Sequence, residues 1–344
     1  MDTVAVRTGR LEAPGATLHY EVRGRGPLLV MMPGGSADAG IYDALAAELA
    51  DRWTVATFDP RGYSRSTLHA PVADQLPRTH SEDIARLIEL LSPDPDGAPA
   101  AVFGSSSSAV VAVDLLTRHP GLVSRVVAHE PPLVELLPDP AAGRALFAAV
   151  RESFRRDGVE AAMATMAAGL APDGAEEAAE AAPQASTDAD PEGPADAHNA
   201  EGPTDVRHAE APADARNAEG PAEDRRAGSD AGAGHRPSAA GEGDGPSPAE
   251  AATFRRMIAN LPVFLEHVLC PFSGYVPDLA ALRAAAPKLV VGVGRDSRAL
   301  LPAVAAERLA RQTGSRTVEF PGSHIGLTED PVAFGARLRE TLLA

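Results

Sequence analysis

The stretch VFGSSSSAVV, Val102–Val111, decides the reading of this chain. With Ala100 and Ala101 before it, its first half is an apolar run of strand length ending at Phe103. Its second half opens the helical pattern of Ala109–Arg118. A glycine and four serines join the two. Such a junction can be a nucleophile elbow, G-x-S-x-G, in which a sharp strand-to-helix turn lifts a serine hydroxyl above a sheet and aims the helix N-terminus at it. Anchored on Gly104, the pattern makes Ser105 the spacer and Ser106 the nucleophile. Ser108 stands where the second glycine belongs, and serine is small enough for a tight strand–helix approach. A serine-rich helix cap would have the same composition, so the elbow needs support from the rest of the chain.

Outward from this stretch, strands and helices alternate. Leu18–Val22 and Leu28–Met32 read as strands, and Ile41–Ala50 as a helix with Ile41, Leu45 and Leu49 on one face. Trp53–Phe58 has a buried-strand pattern. Ser81 followed by Glu82 and Asp83 marks a helix start, with Ile84, Leu87, Ile88 and Leu91 as its apolar face. Val123–Ala128 is a further strand. The pattern resumes with strand Leu289–Val293, helix Ala303–Gln312, strand Thr317–Phe320 and helix Val332–Leu343. Alternation of this kind predicts an α/β fold, a mostly parallel sheet with helices on both faces.

Two helical stretches, Ala141–Leu170 and Ala249–Leu269, lie between these halves and flank a segment of different character. Residues 172–250 contain 19 acidic and 5 basic residues, one large aliphatic side chain, Val206, and no aromatic. The segment therefore accounts for −14 of the chain's net charge of −17. It carries a degenerate nine-residue repeat, ADPEGPADA from Ala189, HNAEGPTDV from His198, HAEAPADAR from His208 and RNAEGPAED from Arg216. With no apolar position to stack, nothing in it offsets the cost of ordering the backbone, and it is expected to be disordered. Its histidines, His198, His208 and His235, lack close metal-ligand spacing.

The remaining residues are near charge balance and show no basic stripe, so nucleic acid is not an expected partner. Cys270 is the only cysteine, which excludes an intrachain disulfide. No apolar run reaches the length of a membrane span. A cytoplasmic protein that does not engage membranes is the expectation.

Three more motifs accompany the elbow. Pro33-Gly34-Gly35-Ser36 follows the strand Leu28–Met32, and Asp59-Pro60-Arg61-Gly62-Tyr63-Ser64-Arg65-Ser66 follows the strand ending at Phe58. PGSHIGLTEDPVAF, Pro321–Phe334, follows the last strand. In this order they resemble the α/β-hydrolase superfamily, with its oxyanion loop after strand 3, D-x-R-G-x-[GS]-x-S loop after strand 4, elbow after strand 5 and histidine loop near the end. The resemblance covers residues 10–135 and 285–344. It implies an α/β-hydrolase core at 1–135 and 285–344, a helical lid at 136–171 and 251–284, and the disordered acidic insertion at 172–250. It also implies that Asp59 and Arg61 fix their loop rather than act on substrate.

By the same resemblance, Ser106 attacks and His324 takes its proton. Of the other histidines, His19 reads as a strand residue, His80 as preceding a helix cap, His119 as a helix end and His267 as a lid residue. Two carboxylates compete for the acid. Asp296 lies in the loop Gly294-Arg295-Asp296-Ser297, although the usual third place after the glycine holds Ser297. Glu130, in His129-Glu130-Pro131-Pro132, ends the sixth strand, where haloalkane dehalogenases carry their acid. Gly35 and Ser107 would supply oxyanion N–H groups. Phe264, Leu265, Phe272 and Tyr275 of the lid are candidates for the substrate pocket. The implied function is hydrolysis of a small ester, lactone or related acyl substrate, with no metal or organic cofactor. Cofactor-free perhydrolysis, C–C cleavage or biosynthetic cyclisation on the same scaffold is one alternative. A non-catalytic small-molecule-binding protein with a degenerate elbow is another.

The insertion reading has a direct test. Replacing residues 172–250 by a short flexible linker should preserve a cooperative melt and most activity on a neutral substrate, because closure cost grows slowly with loop length. The isoelectric point should rise. Loss of the cooperative melt would mean that the segment is a structured element.

Overall fold

A computed structural model describes residues 5–92, 98–170 and 247–344. Nine strands form one sheet: β1 (Arg7–Ala13), β2 (Ala16–Arg23), β3 (Leu28–Met32), β4 (Thr54–Phe58), β5 (Thr67–Leu68), β6 (Ala100–Ser105), β7 (Val123–His129), β8 (Leu289–Gly294) and β9 (Arg316–Phe320). Their order is β1-β2-β4-β3-β6-β7-β8-β9, with β5 paired to β2. The β1–β2, β2–β4 and β2–β5 pairings are antiparallel, and every pairing from β4 to β9 is parallel. The helices are α1 (Asp43–Leu49), α2 (Pro77–Leu91), α3 (Ser107–Arg118), α4 (Pro140–Asp157), α5 (Val159–Leu170), α6 (Pro248–Val263), α7 (Leu269–Ser273), α8 (Leu279–Ala284), α9 (Leu301–Thr313), α10 (Gly326–Glu329) and α11 (Pro331–Leu343).

Strand side chains alternate between faces, so a buried two-faced strand feeds two cores. All five residues of β3 are buried. Val30 and Met32 join Val102, Val126, Ala128 and Val291 in one cluster, covered by α2, α3 and α9 and continuous with the lid helices. Leu29 and Met31 join Phe103, Val127 and Val290 on the other face, covered by Leu45 and Leu49 of α1 and Phe334 and Leu338 of α11. The parallel strands all leave the sheet at one edge. The elbow after β6, Glu130 after β7 and the histidine loop after β9 therefore emerge together, at the C-terminal strand ends where α/β sites form.

Several boundaries differ from the sequence reading, each for a local reason. β1 has no counterpart there, because its exposed edge leaves only Leu11 and Ala13 buried. α2 begins at Pro77, not near Ser81. Ser81 instead donates to Asp114 of α3, with the Arg78 carbonyl also within hydrogen-bond reach of its Oγ, so a cap-like serine holds two helices together. The stretch Ala141–Leu170 is broken at Gly158, whose φ of 90° suits glycine. Residues 248–250, placed in the insertion, are the first turn of α6, closed by a capping box between Ser247 and Glu250. Pro262 lies near the C-terminal end of α6, and the chain continues as a π-turn over Phe264–Val268 before α7. The rest of the expected insertion, through residue 246, lies outside the described residues. Among the described residues, no helix is long and apolar enough to cross a membrane.

Among the described residues, two histidines are buried in this frame. His80 bonds through Nε2 to Gln75 Oε1 at 2.5 Å, and burial, helped by the nearby Arg61 charge, lowers its pKa to about 3. His129, at the end of β7, is fully buried, and its pKa is lowered to about 4 chiefly by that burial. Both are neutral when folded and titrate near 6.5 when unfolded, so below about 6.5 the unfolded chain binds more protons. Their contribution to stability is complete above about pH 6.5 and is lost as the pH falls toward their folded values. The melting temperature should therefore drop between pH 7.5 and 5.0, and drop less in a His80→Gln/His129→Asn variant. An equal drop in both proteins would assign the acid sensitivity to other groups.

Candidate active site

β6 runs into α3 with one residue between them. That residue, Ser106, has φ 57° and ψ −125°, a conformation that costs a non-glycine residue about 1–3 kcal/mol. The surroundings hold it there. Its N–H donates to the His129 carbonyl at 2.9 Å, and its own carbonyl accepts from Ala109 N–H at 2.9 Å. A Cβ at Gly104 would lie 2.6 Å from the Ser108 carbonyl oxygen, so this turn closes only with glycine there.

Each serine of the run has a different partner. Ser105 Oγ lies 3.1 Å from His129 Nδ1. Ser106 Oγ lies 3.0 Å from His324 Nε2. Ser107 Oγ accepts the Gly35 N–H at 2.9 Å. Ser108 Oγ donates to the Met32 carbonyl at 2.6 Å, stitching the elbow to the end of β3.

On the far side of His324, Nδ1 lies 2.7 Å from Glu130 Oε2. Glu130 is fully buried and also has a positive φ, 47°. Its second oxygen accepts the Gly294 N–H at 2.7 Å and the Ser297 hydroxyl. Burial raises the pKa of this carboxyl, but the hydrogen bond from His324, the electrostatic influence of the two neighbouring imidazoles and the Ser297 hydrogen bond outweigh it. The net shift is downward, keeping Glu130 ionised. Asp296 is not part of this arrangement. Its carboxylate is exposed and paired with Arg295 at 3.1 Å, which lowers its pKa, while its N–H bonds to the Gly322 carbonyl. Ser297, in the place where the resemblance expects an acid, is the residue that reaches inward, as a donor to Glu130. Sequence reasoning gave Ser297 no role, although its position three residues after Gly294 was the available signal.

The loop after β3 is held from two sides. The Gly35 carbonyl accepts from Tyr63 Oη at 3.2 Å. The Ser36 carbonyl accepts from Asn260 Nδ2 of α6 at 2.9 Å, and Asn260 Oδ1 takes the Ser64 N–H at 2.9 Å. Arg256, one turn earlier on α6, pairs with buried Asp38. These lid contacts had no signature in the sequence. In the neighbouring loop, Asp59 bonds Arg65 and Ala39 N–H, and Arg61 forms a bidentate pair with Asp83 at 2.5 and 2.6 Å. Asp59, Arg61 and Arg65 are therefore committed to loop geometry.

An apolar cavity of about 20 Å³ adjoins Gly35 and Ser107, walled by Met32, Phe58, Val111, Val268 and Phe272. Of the four lid residues named from sequence, Phe272 lines it. Phe264 and Leu265 are buried in the packing beneath the lid. Tyr275 is not among the residues lining the cavity, and its hydroxyl donates to Asp114 at 2.9 Å.

The model of the serine aminopeptidase S33 family matches residues 25–164. An uncharacterised hydrolase of Bacillus subtilis, YraK, is 29% identical over 343 residues, covering 98% of this chain and 97% of that protein. An esterase from Thermogutta terrifontis superposes with a TM-score of 0.60 at 18% identity, covering 98% of each chain. The enol-lactonase of Burkholderia xenovorans gives 0.57 at 17%, covering 98% of this chain and all of the other. Sheet order, loop placement and these likenesses agree: the chain has the α/β-hydrolase fold and resembles proteins named as hydrolases.

Proposed function

We propose that the protein is a serine hydrolase acting on small, uncharged esters or lactones, with Ser106 as nucleophile, His324 as general base and Glu130 as the acid that orients it. The observation that carries this reading is the unbroken chain from Ser106 Oγ through both nitrogens of His324 to Glu130, at 3.0 and 2.7 Å. Those are the lengths that proton transfer from a nucleophile requires.

In this reading Ser106 Oγ attacks the substrate carbonyl carbon while His324 Nε2 takes its proton. Glu130, unprotonated, fixes the tautomer with Nδ1–H and stabilises the imidazolium. The tetrahedral intermediate collapses when His324 protonates the leaving alkoxide, leaving an acyl-serine. Water then attacks the acyl carbon, its proton passes to His324, and Ser106 leaves as the alcohol. The apolar cavity beside Gly35 and Ser107, with neutral His80 in its wall, suits a small uncharged substituent. Its volume holds about one water-sized group. The similar structures include proteins named as an esterase and an enol-lactonase, and a zearalenone hydrolase of Bionectria ochroleuca is 30% identical over 119 residues. Those names support the ester and lactone class.

Ser106→Ala and His324→Ala should each lower kcat on a p-nitrophenyl ester by roughly 10⁴-fold or more, with the double variant little worse than either. A fluorophosphonate probe should label Ser106 in the parent and not in Ser106→Ala. Glu130→Gln should lose on the order of 10³–10⁴-fold, because the amide leaves His324 without its anionic partner. Asp296→Asn should stay within about twofold, as an exposed surface change. Full activity in Ser106→Ala would remove the nucleophile assignment, and equal mild effects of the two acid variants would remove Glu130.

A further inference from the structure

The Gly35 N–H, one of the two groups expected to bind the oxyanion directly, is already engaged: it donates to Ser107 Oγ at 2.9 Å. Ser107 is 7% exposed, and among the described residues no acceptor takes its hydroxyl proton. Nor, among the described residues, is its backbone N–H, at the first position of α3, taken by any acceptor. Two donors of one nearly buried residue therefore sit beside the nucleophile without partners. Burying an unsatisfied donor is costly, so such a group is expected to have a partner at some stage of function.

We propose that the Ser107 hydroxyl is itself an oxyanion donor, relaying the Gly35 N–H to the substrate. The inference rests on the serine-hydrolase reading above. In the transition state the oxyanion receives Ser107 N–H and Ser107 Oγ–H, while Gly35 N–H stays on Ser107 Oγ. A hydroxyl that accepts one hydrogen bond becomes a stronger donor in the next, because bonds in a chain polarise one another. The hole is thus built on the chain N–H···O–H···O⁻ and needs no rearrangement of the loop after β3, whose carbonyls Tyr63 and Asn260 already hold. No proton is transferred in this step. The charge on the oxygen is stabilised, and it collapses back to a carbonyl when the leaving group departs.

The opposite arrangement is a plug: the hydroxyl blocks Gly35 N–H at rest and swings aside for substrate. The two differ in sign at one substitution. Ser107→Ala keeps the backbone N–H and the helix but removes the relay. Under the proposal kcat falls by about 10²-fold, the scale of one oxyanion donor, KM moves less than threefold, and affinity for a boronic-acid transition-state analogue falls with kcat. Ser107→Thr, which keeps the hydroxyl, restores most of both. Fluorophosphonate still labels Ser106 in both variants, which separates this result from failure of the nucleophile assignment; labelling lost in Ser106→Ala alone certifies that assignment independently. An unchanged or raised kcat in Ser107→Ala overturns the proposal. So does a loss that threonine fails to rescue while analogue affinity stays constant.

Discussion

A buried charge must be fully solvated by its neighbours or it does not stay a charge. Glu130 meets that condition with three donors: the Gly294 N–H, the Ser297 hydroxyl and His324 Nδ1. Gly294 ends β8, Ser297 lies in the loop beyond it and His324 in the loop beyond β9, so satisfying one carboxylate fixes both loops against the end of β7. Its N–H, bonded to the Gly292 carbonyl at 3.1 Å, ties the same residue into the sheet edge. The positive φ of Glu130 belongs to this arrangement, because it turns the side chain from the strand direction toward the histidine. Removing one partner would leave a desolvated anion, so the position of His324 and the ionisation of Glu130 are one constraint.

The serine run has the same economy on the opposite side of the histidine. A glycine-rich elbow would have left the backbone of this turn free of side-chain ties. Here four hydroxyls make four separate attachments, to His129, His324, Gly35 and Met32. Ser108 explains why the missing second glycine is tolerated: its side chain is directed to the β3 carbonyl, where it makes a bond that glycine could not. His129 is the least satisfied member. Its Nε2 is buried without a partner, while its ring stacks 6.4 Å from that of His324.

Much of this was legible in the sequence because it is local. The elbow, the loops after β3 and β4 and the strands on either side of them depend on residues within a few positions of one another. What was not legible depends on residues far apart. Choosing Glu130 over Asp296 requires knowing that Ser297 faces inward and Asp296 outward, and in a four-residue loop that is decided by neighbouring strands. Ser81 reads as a helix cap until Asp114 on another helix claims its hydroxyl. Asn260 reads as an ordinary polar residue of a lid helix, because nothing near it in the chain announces a bond to Ser36.

That last contact bears on the order in which the molecule takes shape. Asn260 and Ser36 are 224 residues apart, Ser106 and His324 are 218 apart, and Glu130 and His324 are 194 apart. Contacts of such separation form late, since their loop-closure entropy is lost before they contribute stability. During synthesis, β3, the elbow and Glu130 leave the ribosome well before α6 and the histidine loop exist. The nascent chain therefore carries Ser106 and Glu130 before the partners that position them exist, and its apolar strands stay uncovered for the time needed to translate some two hundred residues. Chaperone dependence in this protein would concentrate in that interval rather than in the finished fold.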